Sequence, residues 1–343
     1  MTSFKNFNTV KRSPLDYGLL ALIVLVIVFG LSKQLGQAGT LAGFAALLTY
    51  IVETPGSLRQ RAGGMMVFWA FGFIQILLVA LIGGTGLPVL IILFAVSFVC
   101  SWMMGYGARA AVAAFISNVW ITIMPPMGVG NDLALSLIGF SAGSFLVIVA
   151  SIIPPLLRGP DPTTGGQEDA SVFEPVAFNT STLFAYSLIR AGSITLGGFL
   201  GQQYQEINEL WIAMSVNLIL PPALKTTWLR GIYRAVGTLL GALLAFLLVW
   251  LVGDNPTVLL IIEFVAVFLV VFFAKGYVYA VVVFFSSIFV VTQLGLQGLD
   301  MADFGGGERI IATVAGIVIA FVTILILQLI IKRDTHIEVG ATA

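Results

Sequence analysis

Two short patterns in an otherwise apolar sequence place side chains where they could act on a charged solute. Arg234, Thr238 and Gly241 fall at i, i+4 and i+7, so a helix carries them on one face. Arg309, Thr313 and Gly316 repeat that spacing at the head of the last apolar segment. A guanidinium is a rigid fork of donors that suits a carboxylate better than a lysine does. The hydroxyl adds a polar contact, and the glycine leaves a gap for close backbone approach. Such a set on two helices points to a lined path for an anion. The competing role for both arginines is anchoring at the ends of apolar segments.

Glu263 is a third chemical feature. It stands between Ile262 and Phe264, about two turns into an apolar run, with no lysine or arginine beside it in sequence. A carboxylate at that depth costs several kcal/mol unless it is paired, hydrated or protonated, which suits a proton carrier. A neutral, hydrogen-bonded structural carboxyl is the alternative, as is an ion pair with Arg309 or another arginine. Asn217, the pair Ser286-Ser287 and the pair Ser117-Asn118 add polar groups in mid-run, as path lining or as interhelical hydrogen bonds. Tyr277 and Tyr106 fit either an aromatic ligand or an interfacial belt.

The elements that must position these residues follow from composition. The chain of 343 residues is 59% hydrophobic and 9% charged. Runs of about 20 apolar residues are what a helix needs to cross ~30 Å of hydrocarbon. The sequence is mostly such runs without strict alternation, which predicts an all-α polytopic membrane protein rather than a β-barrel. Twelve spans are expected, near 17–33, 38–53, 62–83, 87–104, 106–124, 133–155, 183–203, 209–223, 230–252, 256–273, 276–294 and 308–331. The first carries Lys5, Lys11 and Arg12 ahead of it and resembles a signal peptide, but reads as an uncleaved span.

Net charge is zero and the basic residues lie scattered in short loops, so nucleic-acid binding has no support. One cysteine, Cys100, excludes an intrachain disulfide, and one histidine, His336, leaves no set for a metal centre or a His-based catalyst. No phosphate-binding glycine loop and no nucleophile with a histidine base are present, so an enzyme is not expected and no cofactor is called for.

With the N-terminus inside, nearly all lysines and arginines collect on the cytoplasmic side, and Arg190 and Arg234 are expected to snorkel to it. Both termini are then cytoplasmic. The two halves share a pattern: 41–83 parallels 210–253, and 88–118 parallels 256–287. Six spans each give a parallel repeat: a first module over 1–157, a linker over 158–180, a second module over 181–332 and a tail over 333–343.

Trp211 opens W-x8-L-P-P, a basic turn, then R-A-V-G-T-L-L-G-A-L-L-A from Arg234 to Ala245. This resembles the membrane module of the fusaric-acid-resistance-like and aromatic-acid-exporter superfamily, to which the plant aluminium-activated malate transporters are related. The R-x2-G-T-x2-G signature is met with Gly237 in place; the copy at Arg309 has Ala312 there, and Arg61 is followed by Met65 and Phe68 instead. The resemblance covers 181–331 well and 15–155 weakly, without the large cytoplasmic domains many members carry. It implies export of small organic, in particular aromatic, acids across a bacterial inner membrane, in partnership with a periplasmic adaptor protein; a homo-oligomer is a further partnership the sequence leaves open. A passive anion channel and a non-transporting membrane subunit that anchors an adaptor are the alternatives.

Overall fold

The computed structural model describes residues 23–24, 36–53, 58–83, 86–125, 132–158, 179–204, 210–220, 227–252, 255–273, 279–296 and 306–341. Among these, eleven α-helices follow one another: α1 Gln37–Val52, α2 Leu58–Ile82, α3 Gly86–Met103, α4 Ala108–Ile123, α5 Leu133–Arg158, α6 Thr180–Gln203, α7 Trp211–Ile219, α8 Thr227–Val252, α9 Pro256–Phe273, α10 Tyr279–Leu296 and α11 Gly306–Ala341. Six of them hold stretches long and apolar enough to cross a bilayer. The protein is an all-α polytopic membrane protein. The first expected span, save residues 23–24, lies outside the described residues, as do Tyr277 and most of the 158–180 linker.

Helix ends follow local chemistry. Asn179 caps α6, its side chain accepting from the Thr182 N–H at 2.8 Å, which satisfies one of the four donors a helix start leaves free. Gly107, at φ 108°, makes the turn from the 3-10 segment Met104–Tyr106 into α4, a conformation open to glycine. α7 stops at Ile219 because Leu220 precedes Pro221, and a residue before proline is pushed out of helical geometry. At 9 residues α7 is roughly 13 Å long, less than half a hydrocarbon core, so the span expected over 209–223 is much the shortest described helix. α11 errs the other way. Its 36 residues, roughly 54 Å, run beyond the expected 308–331 into the expected tail.

Packing puts the short helix at the centre. α7 touches α4, α6, α8 and α11. One core cluster joins α1 to α5 with α6, α7 and α11 around Trp120, Phe68 and Phe140. A second joins α1 and α5 to α8, α9 and α10. In the first half α1 touches α5, α2 touches α4 and α3 touches α4; in the second α7 touches α11, α8 touches α10 and α9 touches α10.

Small residues set the approach distances. A Cβ on Gly143 would lie 2.0 Å from the Ala42 carbonyl oxygen, where α5 crosses α1. One on Gly316 would lie 2.4 Å from Ser215 Cβ, where α11 crosses α7. In a membrane, where lipid is as apolar as leucine, such close contact is a main source of helix association.

Candidate functional site

The two arginine patterns lead to α7. Arg234, in the second turn of α8, is 6% exposed, and its Nη2 donates to Ser215 Oγ on α7 at 3.5 Å, the long limit of a hydrogen bond. Its Nε is buried with no partner. No carboxylate pairs with it among the described residues. Thr238, one turn on, is buried. Gly241 faces α10, where a Cβ would lie 2.4 Å from the Phe284 carbonyl oxygen, and Gly237 likewise meets the Ala280 carbonyl at 2.6 Å. On α11, Thr313 is buried and Gly316 abuts Ser215, a Cβ there lying 2.4 Å from Ser215 Cβ. The two copies of the pattern therefore meet at one serine. Arg309 lies on α11, with its side chain outside the described residues.

A second cation sits on the opposite flank of α7. Arg190 is fully buried, about 15 Å along α6 from its start at Thr180. Its Nε donates to the Leu220 carbonyl at 3.0 Å, its Nη1 to Ser101 Oγ at 2.8 Å, and its Nη2 to Asn217 Oδ1. The Phe115 ring lies 5.8 Å from its guanidinium carbon. Asn118 of α4 also donates to Asn217 Oδ1, at 3.2 Å, and takes a bond from Ser97 Oγ at 2.8 Å. Arg190 thereby closes the C-terminus of α7, bonding the carbonyl of Leu220 after the helix has ended and meeting the negative end of its dipole.

These contacts correct the expectation that Arg190 and Arg234 snorkel to the cytoplasmic face. Both are inside the protein. Distance from the end of an apolar run says nothing about helix rotation, and rotation turns both inward. The available signal for the Arg190 cluster was an arginine deep in one span and Ser97 with Ser101 at i, i+4 in another. Ser101 bonds the arginine, and Ser97 bonds the amide of Asn118 beside it.

Glu263 is 2% exposed on α9, a helix that packs on α8 and α10. The first half holds a different device. Glu53, at the end of α1, is buried and accepts from Arg61 Nε of α2 at 3.0 Å, with a second bond from Nη2. Arg61 is thus paired with a carboxylate, whereas among the described residues Arg234 is not.

Residues 193–323, from mid-α6 to mid-α11, match the model of the family described as fusaric acid resistance protein-like. This segment is similar to that family over its matched length. It contains Arg234, Ser215, Asn217, Glu263 and the Arg309 copy of the pattern, and begins three residues after Arg190. No curated protein and no solved structure matches the chain.

Proposed function

We propose that this protein is a secondary exporter of small organic acids, aromatic acids in particular, in a bacterial inner membrane, with both termini cytoplasmic. Arg234 carries the reading. Within the module it is a buried guanidinium with one long hydrogen bond, a partnerless Nε and no carboxylate among the described residues. A buried cation without a counter-ion is costly, and a carboxylate arriving as substrate offsets that cost with two charge-assisted bonds. Glu263, buried on a neighbouring helix of the same module, supplies the proton-coupling group. The recurrence of helix pairs in both halves supports a duplicated, parallel architecture in which the second module keeps an arginine without a carboxylate.

Inverted vesicles test this directly. Labelled benzoate should accumulate when the vesicle interior is acidified, and neutral benzamide should not. Benzoate entry that ignores the pH gradient would instead mark a passive anion channel. No entry for benzoate or any other labelled acid would end the organic-acid reading.

A further inference from the structure

We propose that Arg190, Asn217 and the end of α7 form a second binding site for a monovalent carboxylate, on the side of α7 away from Arg234. Ser215 and Asn217 are two residues apart, which places them on opposite faces of the helix and only ~3 Å apart along its axis. The two buried arginines thus bond opposite faces of the shortest described α-helix.

The Arg190 site is built but incomplete. Asn217 Oδ1 accepts from both Arg190 and Asn118, which fixes the orientation of the amide. Its Nδ2 is therefore a donor, fully buried, and it has no acceptor. A guanidinium has five N–H groups, and three of them are used here, by Leu220, Ser101 and Asn217. All three acceptors are neutral, and among the described residues no carboxylate pairs with Arg190. What remains is one positive charge and four donor hydrogens, two on the guanidinium and two on Asn217 Nδ2, arranged around a carboxamide. A carboxylate complements that set: one negative charge and two oxygens with lone pairs for each donor. A dianion would need a second cation, and none is among the partners of Arg190. Entry requires α7 to move against α6, at the end where the helix stops at Ile219.

An internal carboxylate tests the site by competing for it. Asn217→Asp keeps the shape and the bonds at Oδ1 while giving Arg190 a permanent counter-ion. The experiment follows the unfolding midpoint of the purified protein in detergent against benzoate concentration, in an Arg234→Gln background that removes the first site. The expected result is a saturable, benzoate-dependent rise in that background. Adding Asn217→Asp weakens the apparent benzoate affinity at least tenfold while the benzoate-free midpoint stays level or rises. Ser101→Asp, which brings a carboxylate to Arg190 from α3, provides an independent route to the same loss. Absence of any benzoate effect in Arg234→Gln, or an unchanged effect after Asn217→Asp or Ser101→Asp, overturns the proposal. Neither outcome touches the role of Arg234, which vesicle transport measures separately.

Discussion

Replacing Gly241 with alanine pits helix propensity against packing. Alanine in a helix interior is favoured over glycine by about 0.5–1 kcal/mol because it loses less conformational entropy. At Gly241 the new methyl would stand 2.4 Å from the Phe284 carbonyl oxygen and 2.9 Å from Ser287 Cβ, where ordinary contact begins near 3.4 Å. α8 and α10 would have to part by about 1 Å, and the obstacle is a helix backbone that cannot rotate aside. Overpacking of this kind costs about 1–3 kcal/mol, so Gly241→Ala should be destabilised by roughly 1–2 kcal/mol net. Gly192→Ala on α6 is the matched control, since nothing lies within 4 Å of its added Cβ; it should be level with or more stable than the parent. Thermal unfolding of both variants in one detergent, read by intrinsic fluorescence, measures the difference. A Gly241→Ala protein as stable as Gly192→Ala would refute the claim that backbone-to-backbone contact sets the α8–α10 distance.

Two other perturbations follow from the same geometry. Glu263→Gln should remove the dependence of benzoate uptake on the pH gradient while leaving downhill exchange in place; a pH dependence equal to the parent's would rule out the coupling role. At the Glu53–Arg61 pair the two halves of the bridge should not be equivalent. Arg61→Met removes the ion pair and both Arg61 hydrogen bonds from a buried carboxylate and should cost about 3 kcal/mol. Glu53→Gln leaves an arginine that is 19% exposed and able to reach water, and should cost nearer ~1 kcal/mol. Denaturation of the two variants side by side gives the order, and the reverse order would contradict the burial assigned to Glu53.

Much of the fold was legible because hydrocarbon imposes a length on every span: α1 to α6 and α8 to α10 begin and end within a few residues of the apolar runs that announce them. The exceptions have local causes. α7 is cut short by Leu220 ahead of Pro221, and α11 continues because no glycine or proline follows Ile331 until Gly340, near the end of the chain. Within the candidate site, the spacing of Arg234, Thr238 and Gly241 defined a shared helical face but not its neighbours. Gly241 meets α10, and Arg234 meets α7. The role of Arg190 was hidden because its partners come from α3 and from α7 and its end, separated from it by 89, 27 and 30 residues. No local pattern encodes such a meeting. Asn217 did stand out as a polar amide in mid-run, and it is the residue on which Arg190 and Asn118 converge.

The most direct measurement is benzoate transport by Arg234→Gln in acid-loaded inverted vesicles, with insertion checked by the amount of folded protein recovered from the same membranes. Glutamine keeps hydrogen-bonding capacity near Ser215 and removes only the charge and the guanidinium fork. Arg234→Lys, which keeps the charge as a compact ammonium, should fall between the two. Transport should drop by at least tenfold in Arg234→Gln with the folded amount unchanged. Transport at the parent rate would show that the buried arginine of the module does not hold the anion.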